Sequence, residues 1–509
     1  MVGRSAAVLE VKGVLDIPAA PWLPDLPEKD NPGQTEALNV VPRTGKSYGP
    51  LSGLSALSTT PLSARCQGAF SGRSAAGTVT TFAGDATKLY RLVSGAFVNV
   101  SQGGGSPHNT SADETWRFAQ MGERVIATNF ADNPQAWTLD GSSAFADLSA
   151  DAPKARHLAV IDPGFLMLGN IGSTPNGLRW CAIKDPTSWP TPGTSAAALV
   201  QAGENTGLSG GWVQAVIGAV GGAQGAVFMD RAIYRIEYVG PPDIFAFREV
   251  ERARGTPASN SVINIGPIAF YLGEEGFYRF DGSGSTPIGA SQVDKTFFSD
   301  LDQNNFHRVY AAADPINKLV MWAYPNASAS SGNPNRIIMH NWETGWWSHA
   351  ELTLEYLFRS LSQSTGLDSL DALGYNLETL PFSLDSRVWT GGKLILSAFN
   401  DSHNLASFGG AALAATLETA EVDGGEDRRL FISGIKPKVD GGTITSAVGH
   451  RNDDASAPSY TTATAVGADG FCPHRISARN ARARVSIAAG GSWQHFSGCK
   501  ARAKPEGVR

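Results

Sequence analysis

The stretch IAFYLGEEGFYRFDGSG, residues 268–284, contains two short apolar runs separated by a glycine-containing turn. IAFYLG and FYRF are rich in aromatic residues, which favour strands, and the Asp-Gly pair that follows is typical of a tight turn. The stretch therefore predicts a β-hairpin. Its second run places an apolar residue, an aromatic, a polar residue and another apolar residue in succession, and this order recurs along the chain.

The recurring run marks a repeated unit. Further copies are LYRL (89–92), AWTL (136–139) and IYRI (233–236), with a looser copy, LRWC, at 178–181. A second apolar run precedes most copies, as in RVIATNF, FLMLGN, GAVFMD and IAFYLG. The unit is about four strands in roughly 45 residues, which is the period of a β-propeller blade.

The predicted fold is all-β, a β-propeller of about seven blades, with six or eight blades left open. A set of unrelated hairpins in one large β-sandwich is the alternative. Residues 1–60 are predicted as an extended arm, 61–422 as the propeller and 423–509 as a small C-terminal β-sandwich. Short helices are predicted at 293–302 and 368–377.

Composition fits a lightly charged chain that turns often. The 509 residues include 57 Gly and 29 Pro, and the formal net charge is −6. Residues 421–509 carry 13 Lys and Arg against 9 Asp and Glu, and the remaining residues carry 28 against 38. The acidic body argues against a protein that grips nucleic acid through its phosphates. It is compatible with a surface past which DNA slides.

Neither a disulfide framework nor a membrane segment is expected. The four cysteines are Cys66, Cys181, Cys472 and Cys499, and none forms a CxxC pair. Cys472 and Cys499 could pair, but two buried thiols are the favoured interpretation. The first residues lack a continuous apolar run, so no signal peptide is predicted. The weakly apolar window 211–229 predicts two short strands and a glycine-rich turn.

Motifs for catalysis or cofactors are weak. GLSGG at 207–211 matches G-x-S-x-G, but a strand pattern follows it where a nucleophile elbow needs a helix. GKS at 45–47 lacks the upstream glycine of a phosphate-binding loop. No HExxH or EF-hand pattern is present. The prediction is a protein that is not an enzyme and needs no cofactor or metal.

The stretch HNWETGWWSH, residues 340–349, concentrates three tryptophans and two histidines. Sugar binding, metal binding and a tight turn are the alternatives, and the turn is favoured because two histidines lack a third ligand. Gly345 suits a left-handed position in a three-residue loop. Trp342 and Trp346 are predicted to pair across that loop, with Trp347 on the opposite face. Gly345→Ala is accordingly expected to be more harmful than His340→Ala.

The basic run HRISARNARARVS, residues 474–486, is the candidate contact surface. It contains Arg475, Arg479, Arg482 and Arg484, and the last two lie on one face of a strand because they are two residues apart. One interpretation is a contact to phosphate, lipopolysaccharide or an acidic neighbouring subunit. The other is an ordinary solvated strand face.

Several segments resemble the tail hub or nozzle proteins of short-tailed (podovirus-like) phages. They are the block RAIYRIEYVGPPDIFAFREVERARGTPASNSVINIGPIAFYLGEEGFYRFDG (231–282), VDKTFFSDLD (293–302), HNWETGWWS (340–348), ALNVVPRTGKSYGP (37–50) and WQHFSG (493–498). The resemblance covers most of residues 37–420 and is looser beyond.

The resemblance implies a β-propeller protomer in a homo-oligomeric ring, expected to be a hexamer, in the virion tail. The ring would lie below the portal and adaptor, enclose the channel through which double-stranded DNA passes without sequence-specific binding, and dock tail fibres. Assembly would take place in the bacterial host cytoplasm. A carbohydrate- or receptor-binding propeller tail protein is the alternative function, and a propeller hydrolase is a third.

Overall fold

The computed structural model describes residues 13–29, 31–172, 174–190, 201–329, 331–362, 392–424 and 428–506. Its first five strands are β1 (Val14–Pro18), β2 (Glu36–Leu38), β3 (Val40–Thr44), β4 (Ser47–Pro50) and β5 (Ser52–Ala56).

Five antiparallel four-stranded sheets follow in chain order, each a simple meander. Sheet 1 contains β6 (Gly68–Arg73), β7 (Val79–Gly84), β8 (Leu89–Val93) and β9 (Ala96–Asn99). Sheet 2 contains β10 (Arg117–Met121), β11 (Arg124–Thr128), β12 (Gln135–Thr138) and β13 (Ala146–Asp147). Sheet 3 contains β14 (Ala155–Ile161), β15 (Phe165–Ile171), β16 (Thr174–Trp180) and β17 (Gly203–Asn205). Sheet 4 contains β18 (Val213–Val220), β19 (Ala223–Met229), β20 (Ala232–Gly240) and β21 (Ile244–Arg252). Sheet 5 contains β22 (Ile263–Ile265), β23 (Ile268–Leu272), β24 (Phe277–Phe280) and β25 (Ser285–Pro287).

Two further four-stranded units complete the series. Sheet 6 is the meander of β26 (Tyr310–Asp314), β27 (Leu319–Tyr324), β28 (Arg336–Asn341) and β29 (Trp347–Glu351). Sheet 7 contains β30 (Tyr356–Leu361), β31 (Leu394–Phe399) and β32 (Leu405–Ala412), and its fourth strand is β5 from the N-terminal region. The last sheet therefore joins the two ends of the repeat series.

The repeated sequence run occupies the same place in each unit. LYRL, AWTL, LRWC, IYRI and FYRF all fall on the third strand of their sheets, and the apolar runs before the later copies fall on the second. The aromatic residue of each exact copy is at most 6% exposed. The predicted hairpin at 268–284 is present, with Leu272 opposite Phe277. The predicted all-β, propeller-like architecture is confirmed.

The sheets are arranged around a common axis. The first strands, β6, β10, β14, β18, β22, β26 and β30, contact one another in that order, and β30 contacts β6. A buried apolar cluster lies between each sheet and the next, including one between sheets 7 and 1 that contains Phe399 and Tyr90. Stacking thus buries both faces of every sheet, which a single four-stranded sheet could not do.

The N-terminal strands differ from the predicted extended arm. β1 pairs with the last strand of the chain, β2 bridges β29 and a C-terminal strand, and β3 and β4 form a hairpin that joins the C-terminal part. β5 closes sheet 7. The prediction of an arm running along the ring is therefore wrong for residues 14–56, because these short strands fill the open edges of sheets formed by distant residues.

The C-terminal part is a two-sheet sandwich that begins before residue 423. Its strands are β33 (Ala415–Glu418), β34 (Val422–Asp423), β35 (Leu430–Val439), β36 (Ile444–Arg451), β37 (Ser459–Tyr460), β38 (Thr464–Ala465), β39 (Cys472–Ala478), β40 (Asn480–Ile487) and β41 (Phe496–Pro505). One sheet runs β3-β4-β41-β35-β39, with β1 paired to β41. The other, β33-β40-β36-β37, continues through β2 into sheet 6. All four cysteines are free and buried, as the favoured interpretation predicted.

Helix is scarce among the described residues. α1 (Asp294–Asp300) lies within the predicted helix at 293–302, and 3₁₀ turns occupy Ser259–Ser261 and Gln303–Arg308. The predicted helix at 368–377 lies outside the described residues. The window 211–229 forms β18 and β19, as expected.

Candidate functional site

The hairpin between β28 and β29 has a longer turn than the sequence predicts. The strands end at Asn341 and resume at Trp347. The Asn341 side-chain oxygen accepts hydrogen bonds from the backbone N–H groups of Glu343 (3.0 Å) and Thr344 (3.1 Å), which shapes the turn. Gly345 has φ +74°, the left-handed conformation expected for it. The asparagine, which the pattern-based analysis did not single out, is therefore the residue that organises the turn.

The three tryptophans pack in different directions. Trp342 lies against Phe270, with ring centroids 6.2 Å apart, and Trp346 lies against Tyr48 at 5.1 Å. Trp347 is fully buried and contacts Phe277 of sheet 5 at 5.2 Å. The predicted pairing of Trp342 with Trp346 is wrong, because the longer turn sends one ring toward sheet 5 and the other toward the N-terminal hairpin.

The two histidines have different surroundings. His340 is buried beside Trp347, at 4.4 Å between ring centroids, and burial lowers its pKa to about 3. His349 stacks on Trp22 at 4.6 Å and shares a short hydrogen bond with Glu36. Across the described ranges, no three His, Cys, Asp or Glu side chains come together in a way that could hold a metal ion. The histidines thus serve packing and a local ion pair.

Glu36 is held as a carboxylate. Burial raises its pKa, but the hydrogen bond and the charge of His349 outweigh burial, together with the Ala37 N–H and Arg484, so the pKa is lowered overall. Because Glu36 lies on β2, this pair fixes β2 against β29, the outgoing strand of the β28–β29 hairpin at residues 340–349, here called the tryptophan hairpin.

Tyr48 is a second link, and no sequence pattern marks it as one. Its ring is fully buried, and its hydroxyl accepts a hydrogen bond from the Trp22 backbone N–H at 3.0 Å. The backbone oxygens of Ala20 (3.1 Å) and Trp347 (3.2 Å) are both within donating distance of the same hydroxyl. One side chain therefore joins the N-terminal segment, the N-terminal hairpin and β29.

The basic run of the C-terminal part is occupied within the chain. Arg482 and Arg484 share one face of β40, as predicted. Arg482 donates to Glu28 at 2.9 Å and to the Tyr460 hydroxyl at 2.7 Å, and Arg484 donates to Glu418 at 2.9 Å. The Arg484 guanidinium also lies 3.5 Å from the Tyr460 ring centroid. Neither a free contact surface nor a solvated strand face describes these two arginines.

A third arginine extends this network. Arg451 donates to the buried carboxylate of Glu421 at 2.5 Å and lies 3.2 Å from Glu28. The hydrogen bond and charge of Glu421 raise the Arg451 pKa. Arg475 and Arg479 remain exposed. The acidic partners of these arginines, Glu28, Glu418 and Glu421, lie far away in the sequence, so local sequence patterns could not predict the ion pairs.

The serine of the GLSGG motif at 207–211 makes only structural contacts among the described residues. The hydroxyl of Ser209 lies 3.0 Å from the Tyr234 hydroxyl, and the strand β18 follows the motif where a nucleophile elbow would need a helix.

A cavity of about 700 Å³ lies between the outer parts of sheets 1 and 2, lined by Ala76–Thr80, Arg91–Val93, Trp137 and Asp140–Ser143. The Arg91 guanidinium lies 5.4 Å from the Trp137 ring centroid, and Trp137 is only 2% exposed.

Comparisons with known proteins give a limited result. No family model and no curated protein matches the chain. Two solved structures of the extracellular domain of BT4673 from B. thetaiotaomicron align at 10% identity with TM-scores of 0.39 and 0.41. They cover 84% and 88% of this chain, which spans 48% and 62% of theirs. YCF48 bound to D1 peptide aligns at 10% identity and TM-score 0.29, over 57% of this chain and 89% of that one. Likeness at this level bears on neither function nor partners.

Fold and site together define an all-β, propeller-like protein with a fused sandwich. Among the helices that the structure describes, none has the length and apolar character needed to cross a membrane.

Proposed function

We propose that this chain is a structural virion protein, the protomer of a ring-shaped tail nozzle or hub below the portal and adaptor of a short-tailed phage. The observation that carries the proposal is that separate segments of the chain, each resembling such proteins, pack into one buried apolar cluster. Residues from 37–50, 293–302, 340–348 and 493–498, together with Phe270, Leu272 and Phe277 of the 231–282 block, belong to one buried apolar cluster. The segments that resemble nozzle proteins therefore lie together in the folded core, although they are far apart in the sequence.

The ring of sheets is a seven-bladed β-propeller in this proposal. Support comes from the cyclic contacts of the seven first strands and from the apolar clusters between consecutive sheets. β5 closes the last blade by pairing with β32, so that strands from both ends of the repeat series share one sheet. Such closure leaves no exposed face at the start or end of the series.

The continuity of the propeller-like part with the sandwich supports a role in a DNA channel. Sheet 6 continues through β2 into the sandwich, so the propeller and the C-terminal part share one sheet. A ring of such protomers, expected to be a hexamer, holds its shape without catalytic machinery. The net negative charge outside residues 421–509 disfavours adhesion of passing double-stranded DNA. Other surfaces of the ring dock tail fibres.

Two measurements test this function. Purified protein should show a single oligomer mass by mass photometry, and peptide mapping of purified particles should find the chain in virions. A protein that is monomeric both in solution and in particles, or that is absent from particles, contradicts the proposal.

The cavity between sheets 1 and 2 favours a second candidate, carbohydrate or receptor binding. Its lining includes Arg91, Asp140, Ser142 and Ser143, which could hydrogen-bond sugar hydroxyls. Trp137 is covered by Arg91 and cannot offer an open stacking face. Selective binding on a glycan array that Asp140→Ala abolishes would support this candidate over the nozzle, which should show no selective binding.

A further inference from the structure

Loops from several sheets meet where the first strands of the propeller-like ring begin. The Arg65 Nη2 donates to the backbone oxygen of Ala112 at 2.7 Å. The Thr115 hydroxyl donates to Asn260 Oδ1 at 3.3 Å, and Asn260 Nδ2 donates to the backbone oxygen of His307 at 2.8 Å. These bonds connect segments that precede sheets 1, 2, 5 and 6. They therefore bridge the axis of the ring at this end.

Two tyrosines lie at the same end. Tyr310 and Tyr356 are the first residues of β26 and β30, and their ring centroids are 4.8 Å apart in an edge-to-face arrangement. Burial raises the pKa of both phenols, and the charges of Arg65 and Arg308 oppose this effect at Tyr310. Arg117, the first residue of β10, opposes it at Tyr356. We call Arg65, Arg117, Arg308, Tyr310 and Tyr356 the axial cluster.

The three arginines of the axial cluster have unused donors. Arg65 Nη1, Arg117 Nη2 and Arg308 Nε are buried nitrogens with no hydrogen-bond partner among the described residues. A buried N–H without an acceptor costs roughly 1–3 kcal/mol, and more for a charged group. Each arginine as a whole residue is half-buried, and burial lowers the pKa of Arg117.

The nearby acids are engaged elsewhere. Glu114 accepts a hydrogen bond from Arg156 at 2.8 Å, and an Asp113 carboxylate oxygen lies 3.2 Å from the His307 ring. Burial lowers the pKa of Arg308, and the like charge of Arg65 lowers it further. Within the described part of the chain, no carboxylate lies within 4 Å of the charged nitrogens of the three arginines. The carboxylates of Glu114, Asp113 and Glu355 act on these arginines only from beyond that distance, so the guanidinium N–H groups have no direct anionic acceptor.

We propose that the axial cluster binds a small tetrahedral oxyanion, with inorganic phosphate as its representative, between the guanidinium groups of Arg65, Arg117 and Arg308. Guanidinium groups match the oxygens of such anions with pairs of directed N–H donors, and these charge-assisted bonds are stronger than neutral ones. The bound anion joins segments from opposite sides of the ring and closes its axis. This inference is independent of assembly into a virion.

Isothermal titration calorimetry of the full chain with inorganic phosphate, at low and at high KCl, tests the site. The wild type should show saturable binding to one site, with sulfate competing. Arg117→Gln and Arg308→Gln should each weaken phosphate binding about tenfold or more, the equivalent of 1.4 kcal/mol or more. Arg117→Lys should keep part of the affinity. Arg475→Gln, which changes an exposed arginine of β39, should bind phosphate like the wild type.

Thermal unfolding separates binding from folding. Phosphate should raise the unfolding temperature of the wild type and of Arg475→Gln, but raise it less in Arg308→Gln, since a ligand stabilises only the state that binds it. Crystals soaked in selenate should show an anomalous peak beside Arg117. Absence of saturable phosphate binding in the wild type would overturn the proposal, as would wild-type affinity in both glutamine variants. A selenate peak found only elsewhere would also overturn it.

Discussion

At the residue scale, the tryptophan hairpin is stabilised by partners far away in sequence. A Cβ added at Gly345 would meet no atom within 4 Å, so the glycine is needed only for its backbone conformation. His340, in contrast, is 4% exposed and packs against Trp347 and Phe270. This reverses the order of importance that the sequence alone predicts for Gly345 and His340.

His340→Ala should destabilise the protein more than Gly345→Ala. Loss of the buried imidazole leaves a cavity worth about 2 kcal/mol of unfolding free energy, whereas left-handed backbone strain at an alanine costs about 1 kcal/mol. Urea unfolding of the two variants beside the wild type measures the difference. Equal losses, or a larger loss for Gly345→Ala, would contradict the packing described for His340.

Asp294 makes stability depend on pH. Burial raises the pKa of this carboxyl to about 6, although it accepts a hydrogen bond from the Phe277 N–H. A raised pKa means that the folded protein favours the protonated acid, so stability falls as pH rises from about 4 to 6 and stays lower above that. Asp294→Asn should therefore be more stable than the wild type at pH 8, by about 1 kcal/mol, and similar to it below pH 4.

Thermal unfolding across this pH range gives the readout for Asp294→Asn. Asp302→Asn is the matched control, because Asp302 is an exposed carboxylate whose pKa is lowered by hydrogen bonds from Asn305 and Asn304. It should give no gain at high pH. A gain for Asp302→Asn, or none for Asp294→Asn, would show that burial of Asp294 does not cause the pH effect.

Removing Arg482 should expose the dependence of the sandwich on its ion pairs. The side chains of Arg482 and Glu418 are 7% and 4% exposed, so Arg482→Ala removes a buried charge and leaves the Glu418 carboxylate with Arg484 as its remaining cationic partner. Breaking such a pair costs about 3 kcal/mol. Arg475→Ala, at an exposed site on β39, should change stability by about 0.5 kcal/mol or less. Guanidinium unfolding curves that overlap for the two variants would argue against a stabilising network.

At the element scale, local patterns predicted more than long-range pairings did. The aromatic runs located the third strands because each is a short run of apolar and aromatic residues with one polar residue near its end, a signal contained in the run itself. The bridge made by β2 and the closure by β5 depend on residues more than 300 positions apart, such as Leu38 with His349 and Ser55 with Ser407. Single-sequence patterns contain no information about such distant partners.

The same limit applies to the candidate sites. The pattern at 340–349 predicted a hairpin and a left-handed glycine, but not the Asn341 contacts or Tyr48. The period-two spacing of Arg482 and Arg484 predicted their common face. It could not reveal Glu28 and Glu418, which reach that face from other strands and loops.

Closure of sheet 7 by β5 can be tested with a disulfide. Ser55 and Ser407 are directly opposite in the antiparallel ladder, where Cα atoms are about 4.5–5.5 Å apart, within disulfide range. Ser55→Cys with Ser407→Cys should form a disulfide on oxidation and raise the unfolding free energy by about 3 kcal/mol, reversibly on reduction.

A mismatched pair provides the control for this disulfide. Ser52 faces Ala412 across the ladder, so Ser52→Cys with Ser407→Cys should not form a bond within the monomer. Mass spectrometry of the oxidised proteins, beside the four native buried thiols, distinguishes the two variants. Absence of the Ser55–Ser407 link, or equal linkage in both variants, would contradict the closure.

At the scale of the whole molecule, three contacts of the N-terminal segment help connect the propeller-like sheets and the sandwich. β2 extends sheet 6 into the sandwich, Tyr48 joins the N-terminal hairpin to β29, and Arg482 ties Glu28 to β40. The sandwich also includes β1, which pairs with β41.

Electron cryo-microscopy of purified virions, with the same protein imaged alone, tests the central claim most directly. The account predicts a ring of identical propeller-containing protomers, sixfold as the resemblance implies, at the tail below the portal and around the DNA channel. Particles in which this chain is absent from the tail, or is present only as isolated monomers away from the channel, would contradict it.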